Sequence, residues 1–398
     1  MRRRPHVGLL TREYPPEIYG GAGVHVEYLA EELRRRLEVS VHCWGEPRGE
    51  STVKAYQPWP ALAEPQPEAG ALQAISIDLA MVTALKEVDL VHSHTWYVNL
   101  AGHFAKLTWA VPHILTTHSL EPLRPWKAEQ LGGGYALSRF CEETGILGAD
   151  AVIAVSEGMR RDVLDCYPGV DPTRVRVIHN GIDPEVYRPV TDPAALRQHG
   201  VDPHRPYAIF VGRVTRQKGL QHLLAAARRL DPRTQLVICA GAADTPDLGA
   251  EVEALADQLR QRDLNLVYLE GFLPLSLILP LLTGATVFVC PSIYEPFGLV
   301  NLEAMACETA VVASAVGGIP EVVVEGETGH LVEYDKDRPE EFERGLAARL
   351  EELLQDPDHA ARLGAAGRRR VLEKFSWSAI ADQTVELYQE VLTRNGRA

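Results

Sequence analysis

Short apolar segments of strand length alternate with segments of helical periodicity along this 398-residue chain. In the first half the strand-like segments are His6–Leu10, Val39–His42, Leu90–Ser93, His113–Thr117, Ala151–Ala154 and Val175–Ile178. In the second half they are Tyr207–Val211, Gln235–Ala240, Leu266–Leu269, Val287–Cys290, Ala310–Ala313 and His330–Val332. Strands separated by helices form parallel sheets through right-handed crossovers. The pattern therefore predicts an α/β fold built on parallel sheets.

Two such series fit the length of the chain, which is enough for two or three domains. A turn-rich segment, Asn180–Pro189, separates them and predicts the interdomain linker. We expect two doubly wound, Rossmann-like domains facing a cleft, with residues 1–183 in the first and residues 184–377 in the second. The Pro- and Gly-rich stretch 45–70 predicts a long loop with room for a hairpin.

Composition narrows the functional classes. The net charge is −14 and no basic run is long enough for nucleic-acid binding, so an anionic substrate must be met by a local cluster of cations. Apolar stretches are all shorter than the roughly 20 residues that span a bilayer, and residues 1–10 predict a first strand rather than a signal peptide. Six cysteines lie far apart without a CxxC pair, which favours reduced thiols and a cytoplasmic location.

The stretch from Pro291 to Ala306, PSIYEPFGLVNLEAMA, follows an apolar strand and leads into a predicted helix. In open α/β sheets such a turn, at the carboxyl end of a strand, is where ligands bind. Gly298 and the first backbone N–H groups of the helix form a candidate anion site. Glu295 and Glu303 lie eight positions apart. Such a pair can be the acid and the nucleophile of a glycoside hydrolase, or both carboxylates can bind a ligand.

Three further groups carry candidate chemistry. Gly21 lies in the Gly-rich turn GGAG after the first strand. Its backbone can contact a ligand there, or the segment is only a tight turn. Arg213 and Lys218 follow a strand. Their side chains are suited to binding a diphosphate; alternatively, they are two solvated cations on a loop. His92 and His94 share one face of a strand, but no third ligand has a suggestive spacing, so we expect no metal site.

Together these motifs resemble the signature of retaining, nucleotide-sugar-dependent glycosyltransferases of the two-domain GT-B fold. The resemblance covers essentially the whole chain and implies that its last helix, 378–398, packs back on the first domain. In that family the second glutamate binds the nucleotide ribose and the first lies beside the transferred sugar. Carried over to this sequence, the resemblance implies catalytic roles for Arg213, Lys218, Glu295 and His118, and donor-binding roles for Gly21, Gly298, Leu299, Val300 and Glu303.

The segment from Ser119 to Tyr135, together with residues 11–16 and 240–246, is similar to the ADP-glucose-dependent enzymes of bacterial glycogen and α-glucan synthesis. The likeness implies transfer of glucose from ADP-glucose to glucose-1-phosphate or to an α-1,4-glucan end, without a cofactor or metal. Acceptor binding would fall to Arg12, Arg124, Lys127 and Tyr135.

Two alternatives stay open. One is a glycosyltransferase with a lipid or small-molecule acceptor, and the other is a non-catalytic sugar-nucleotide-binding protein. No nucleic-acid partner and no stable membrane association are expected, and the oligomeric state, a homodimer included, is left open.

Overall fold

The computed structural model describes residues 4–18, 20–62, 69–271 and 273–397, without the side chains of residues 129 and 130. Contacts within the chain divide it into two compact units. The first comprises Met1–Gly181 and Trp377–Ala398, and the second comprises Ile182–Ser376. These divisions fall two residues before the first boundary expected from the sequence and one residue before the second.

The first unit is built on a seven-stranded sheet with the order β3-β2-β1-β4-β5-β6-β7, in which all neighbours are parallel. Its strands are β1 His6–Leu10, β2 Glu38–Trp44, β3 Val53–Tyr56, β4 Leu90–His94, β5 His113–Thr117, β6 Ala151–Ala154 and β7 Val175–Val177. Its helices are α1 Gly21–Arg34, α2 Ala69–Ala84, α3 Trp96–Trp109, α4 Lys127–Leu131, α5 Gly134–Gly148, α6 Glu157–Cys166 and α15 Trp377–Arg394.

The last helix, α15, completes the core of the first unit. Its apolar face, which includes Trp377, Tyr388 and Val391, is buried in the same cluster as Val26 and Leu29 of α1. The Trp377 ring also stacks on Tyr28, with 5.7 Å between ring centroids and 6° between ring planes. Burial of this apolar area stabilises the packing of α15 on the first unit.

Two elements of the first unit differ from the sequence prediction. In the stretch 45–70, β3 pairs in parallel with β2, so a hairpin there was a wrong expectation; residues 63–68 lie outside the described residues. The helix α2 was also not predicted from the sequence. This helix is apolar around most of its circumference, so it has no clear 3.6-residue pattern to detect.

The second unit contains a six-stranded parallel sheet in the order β10-β9-β8-β11-β12-β13. The strands are β8 Tyr207–Val214, β9 Gln235–Ala243, β10 Asn265–Glu270, β11 Val287–Cys290, β12 Ala310–Ser314 and β13 Gly329–Val332. The helices are α7 Pro193–Gln198, α8 Leu220–Ala227, α9 Pro246–Arg260, α10 Leu275–Gly284, α11 Leu299–Ala306, α12 Ile319–Val322, α13 Pro339–Gln355 and α14 Pro357–Lys374. The chain order reverses between β8 and β11, which makes this the topological switch point of the sheet.

All six cysteines are free thiols. Across the described residues, no helix combines the length and the apolar character needed to cross a membrane.

Candidate active site

The loops that follow β8 and β11 meet at the switch point of the second unit. The Ile293 N–H donates a hydrogen bond of 2.9 Å to the Gln217 carbonyl, which ties the two loops together. The Ser314 hydroxyl, at the end of β12, donates to the Ser292 carbonyl at 2.5 Å. Three adjacent strand ends are therefore fixed as one platform, where open α/β sheets bind ligands.

Two glycines allow this platform to close. Gly219 has a φ of +65°, and a Cβ added there would overlap the Pro291 carbonyl oxygen. Gly298 has a φ of +97° and caps the start of α11. Both positions lie in the left-handed region that favours glycine, so side chains here would be strained.

Lys218 and Glu295 form an ion pair across the platform. The Lys218 Nζ lies 2.7 Å from Glu295 Oε2, and the Ser292 hydroxyl donates to the same oxygen at 3.1 Å. Only 16% of the lysine side chain and 9% of the glutamate side chain are exposed. Burial lowers the pKa of Lys218, but the Glu295 charge and hydrogen bond outweigh it and leave that pKa raised. The lysine is therefore a fixed ammonium group at the strand ends.

The start of α11 lies on the same platform. Gly298 is its N-cap and offers no side-chain hydrogen bond to the helix. The N–H groups of Leu299 and Val300, in the first turn, have no acceptor within the helix, as at any helix start. Both residues are half-buried. With the helix dipole, these donors favour an anion.

Glu303 follows one turn later on α11 and is half-buried. Burial raises its pKa to about 7, although the Lys218 charge and a hydrogen bond from Tyr187 oppose the shift. The carboxyl group is thus poised to change its ionisation near neutral pH. Arg213 is also half-buried, near the end of β8.

In the first unit, His118 follows β5 and contacts two other imidazoles. Its Nε2 lies 3.1 Å from Nδ1 of His94, and its ring centroid lies 4.7 Å from that of His25. Burial, reinforced by neighbouring imidazoles, holds the pKa of His94 and of His118 well below its usual range. These rings are neutral at physiological pH.

His92 takes no part in that triangle of rings. Its Nδ1 is 2.6 Å from the Tyr388 hydroxyl of α15, and its Nε2 is 2.7 Å from Thr116 Oγ1. Both ring nitrogens are occupied, so the pairing of His92 with His94 that the strand alternation suggested is not a pair of metal ligands.

Arg12 borders a cavity of about 600 Å³ in the first unit. Its guanidinium carbon lies 4.3 Å from the centroid of Tyr97 and 5.2 Å from that of Trp44. The described residues give this guanidinium no hydrogen bond and no ion pair. Cation–π contacts thus hold an exposed guanidinium whose donors are all available. The cavity is also lined by Glu13, Glu17, Tyr56, Gln57 and Gln73.

The other predicted acceptor residues are engaged within the protein. Arg124 donates to Ser119 Oγ at 3.0 Å and lies 3.7 Å from Glu121 Oε1. The Tyr135 hydroxyl donates to the Glu121 carbonyl at 2.6 Å. Lys127 is half-buried at the start of α4.

The remaining predicted residue, Gly21, is exposed as the first residue of α1, directly after its N-cap Gly20. The Gly20 N–H donates to Glu13 Oε2 at 2.7 Å, which fixes the Gly-rich turn.

Several residues of the site were not predicted from the sequence. Tyr187 lies in the segment predicted only as a linker, yet it hydrogen-bonds Glu303. His25 lies in α1, where helical spacing marks it only as a core position. Ser292 was noted as part of a motif, without its bond to Glu295. No local signal marks these contacts, because each depends on which strand ends become neighbours.

Comparison with known proteins defines the class. Residues 192–370 match the family model of glycosyl transferases group 1, and residues 19–186 match that of glycosyltransferase family 4. The chain therefore belongs to the group 1 glycosyltransferases of GT-B fold, and it is a hexosyltransferase.

Within that family, the chain is 54% identical to the α-maltose-1-phosphate synthase of Mycolicibacterium smegmatis over 97% of its own length and 99% of that protein. It is 30% identical to the glycogen synthase of Mycobacterium tuberculosis, over 96% of this chain and 93% of that protein. Among solved structures, a sucrose-phosphate synthase from Thermosynechococcus elongatus superposes with a TM-score of 0.79 at 25% identity, covering 98% of this chain and all of the other.

Proposed function

We propose that the protein is a retaining α-glucosyltransferase that moves glucose from ADP-glucose to glucose-1-phosphate, giving α-maltose-1-phosphate. The observation that carries this proposal is the 54% identity, over almost the full length, to a synthase of that name. The transfer would serve the synthesis of glycogen and related α-glucans.

The donor would bind at the switch point of the second unit. Arg213, Lys218 and the N–H groups of Leu299 and Val300 would neutralise its pyrophosphate. Glu303 would accept hydrogen bonds from the ribose hydroxyls. This assignment uses the fixed Lys218 ammonium and the anion-binding end of α11, which lie on one platform.

Glu295 would bind hydroxyls of the transferred glucose, and it forms an ion pair of 2.7 Å with Lys218. We assign it no role as a hydrolase nucleophile, because that ion pair and the Ser292 hydrogen bond already occupy Oε2. By the family resemblance, His118 would take a catalytic role and the exposed Gly21 a donor-binding role. As a neutral imidazole, His118 can accept or donate a hydrogen bond to a sugar hydroxyl.

In the reaction, the bond between the anomeric carbon and the pyrophosphate oxygen breaks while the acceptor hydroxyl bonds to the same face of that carbon. The acceptor proton passes to the departing phosphate oxygen of ADP. Electrostatic stabilisation of the leaving diphosphate by Lys218 and Arg213 would supply the catalysis, with no metal or cofactor.

Arg12 supports glucose-1-phosphate as the acceptor. Its guanidinium is held between two aromatic rings, and the described residues leave its donors unused. A phosphate would find bidentate donors there. Arg124 is a weaker candidate for that role, because Glu121 already lies 3.7 Å from it. Lys127 and Tyr135 would then border the acceptor without holding its phosphate.

An α-glucan end is the second candidate acceptor. The Arg12 cavity is lined by Tyr56, Gln57 and Gln73 as well as by two glutamates, a mixture that suits sugar hydroxyls. The 30% identity to a glycogen synthase points the same way.

Phosphorus NMR of the products tests the proposal. The enzyme is mixed with ADP-glucose and glucose-1-phosphate in the presence of EDTA, and a parallel sample contains maltooligosaccharide instead. We expect ADP and a new sugar-phosphate resonance in the first sample. Release of ADP only with maltooligosaccharide would select the glucan acceptor, and no release in either sample would refute transfer from ADP-glucose.

A further inference from the structure

Three imidazoles from different elements form a compact triangle in the first unit. His25 lies on α1, His94 ends β4 and His118 follows β5. Their ring centroids are separated by 4.7, 5.3 and 5.4 Å. One ring nitrogen from each residue lies within 4.8 Å of the other two. The donor and acceptor sites proposed above use His118 alone among the three.

These separations resemble those of a tetrahedral zinc site. Zinc–nitrogen bonds of about 2.0–2.1 Å place two ligand nitrogens roughly 3.3 Å apart and their ring centroids roughly 5 Å apart. The centroid distances already match, and the nitrogens of His94 and His118 are 3.1 Å apart. Only His25 must move closer, by at most about 1.5 Å.

The surroundings of His25 prepare it as a ligand. Its Nδ1 lies 2.8 Å from the Asn180 carboxamide oxygen, which can only accept, so Nδ1 carries the proton. Nε2 then presents a lone pair, and it is buried without a hydrogen-bond partner among the described residues. A ligating histidine whose other nitrogen donates to a polar oxygen is the usual outer-shell arrangement of zinc sites.

Protons compete little for these rings. Burial lowers the pKa of His25 to about 4 and holds the pKa values of the other two well below the usual range. Metal ions bind the neutral imidazole, so binding at neutral pH costs no deprotonation of an imidazolium.

We propose that His25, His94 and His118 bind one Zn²⁺-class transition-metal ion, which replaces the hydrogen bond between His94 and His118. Water would complete the tetrahedron, as at open zinc sites. The ion is an inhibitor rather than a cofactor. The inhibitory role rests on the proposed function, because it follows from the catalytic role proposed there for His118.

Titration of the full-length protein with Co²⁺ tests the binding, because tetrahedral Co²⁺ has a strong visible absorption band. The group His330, Glu352 and His359 is a second set of potential ligands among the described residues. We therefore compare His25→Gln and His94→Gln with His359→Gln as the matched control. We expect the wild type and H359Q to give the band, and H25Q and H94Q to bind Co²⁺ at least tenfold more weakly.

Circular dichroism establishes that each variant is folded, and should H25Q fail to fold, H94Q carries the comparison. No tetrahedral band in the wild type, or a band retained in both histidine variants, would overturn the proposed site.

Activity provides a separate readout. Zn²⁺ should inhibit ADP release by the wild type and by H359Q at the concentration that displaces Co²⁺. A Co²⁺ band without inhibition would leave the metal site standing and overturn the inhibitory role. Failure of the proposed function is recognised independently, as absence of ADP release before any metal is added.

Discussion

Donor affinity should depend on pH through one carboxyl group, Glu303. Burial raises its pKa to about 7, so the group is largely protonated below that pH and ionised above it. If the ionised Glu303 carboxylate binds the ribose hydroxyls, the affinity for ADP-glucose is high above this pKa and falls as the pH drops through it. A pKa of 7 gives an ionised fraction of about 0.09 at pH 6 and about 0.91 at pH 8. The dissociation constant for ADP-glucose should therefore be about tenfold higher at pH 6.

Isothermal titration calorimetry with ADP-glucose alone measures this constant. The acceptor is left out because its phosphate monoester titrates near pH 6, whereas the donor pyrophosphate carries no such group. His118 stays neutral and Lys218 stays charged throughout, given the directions of their pKa shifts.

The matched control is Glu303→Gln, which keeps the shape of the side chain and should bind ADP-glucose equally at both pH values. Equal affinity of the wild type at pH 6 and pH 8 would refute the reasoning. A tenfold change that persists in E303Q would also refute it, by assigning the titration to another group.

Three further predictions concern stability and acceptor choice. Lys218→Met should lower the free energy of unfolding, measured in urea, by about 3–5 kcal/mol, because it leaves the buried Glu295 charge unpaired. The double variant Lys218→Met, Glu295→Gln should recover most of this stability but not the activity. Equal stability of the single and the double variant would contradict the ion pair. Arg12→Gln should raise the KM for glucose-1-phosphate at least tenfold, because the variant loses a hydrogen bond to a charged group, which costs about 1.5 kcal/mol or more. Arg35→Gln, on the exposed end of α1, is its control, and an unchanged KM in R12Q would exclude Arg12 as the phosphate ligand. Trp377→Ala should lower the free energy of unfolding by about 3–5 kcal/mol; guanidinium unfolding measures it, and a loss below 1 kcal/mol would mean that α15 is held elsewhere.

Much of the fold could be predicted, because each buried parallel strand is a short apolar run that stands out between helices. β8 and β11 are examples: both segments were recognised, and the class of fold followed from their alternation with helices. α2 could not be recognised, because a helix that is apolar around most of its circumference has no amphipathic period. β3 is short and half-exposed, so nothing in its sequence distinguishes a parallel edge strand from one arm of a hairpin.

The candidate site shows a sharper limit. Lys218 and Glu295 could each be proposed from a motif, but their ion pair joins positions 77 residues apart. The same holds for His25 and Asn180, which are 155 residues apart. Such contacts arise from strand order, and periodicity along one element carries no information about them. The individual functional assignments of these residues stay predictions until the variants are measured.

The position of α15 in the chain has a consequence for biosynthesis. The first unit needs this helix to cover Val26 and Leu29, yet the ribosome makes the whole second unit, 182–376, before it makes Trp377. During translation the nascent first unit therefore exposes an apolar groove while the second unit can already fold. Chaperones that bind exposed apolar surface should associate with nascent chains truncated before residue 377 and should release them once the remaining residues emerge.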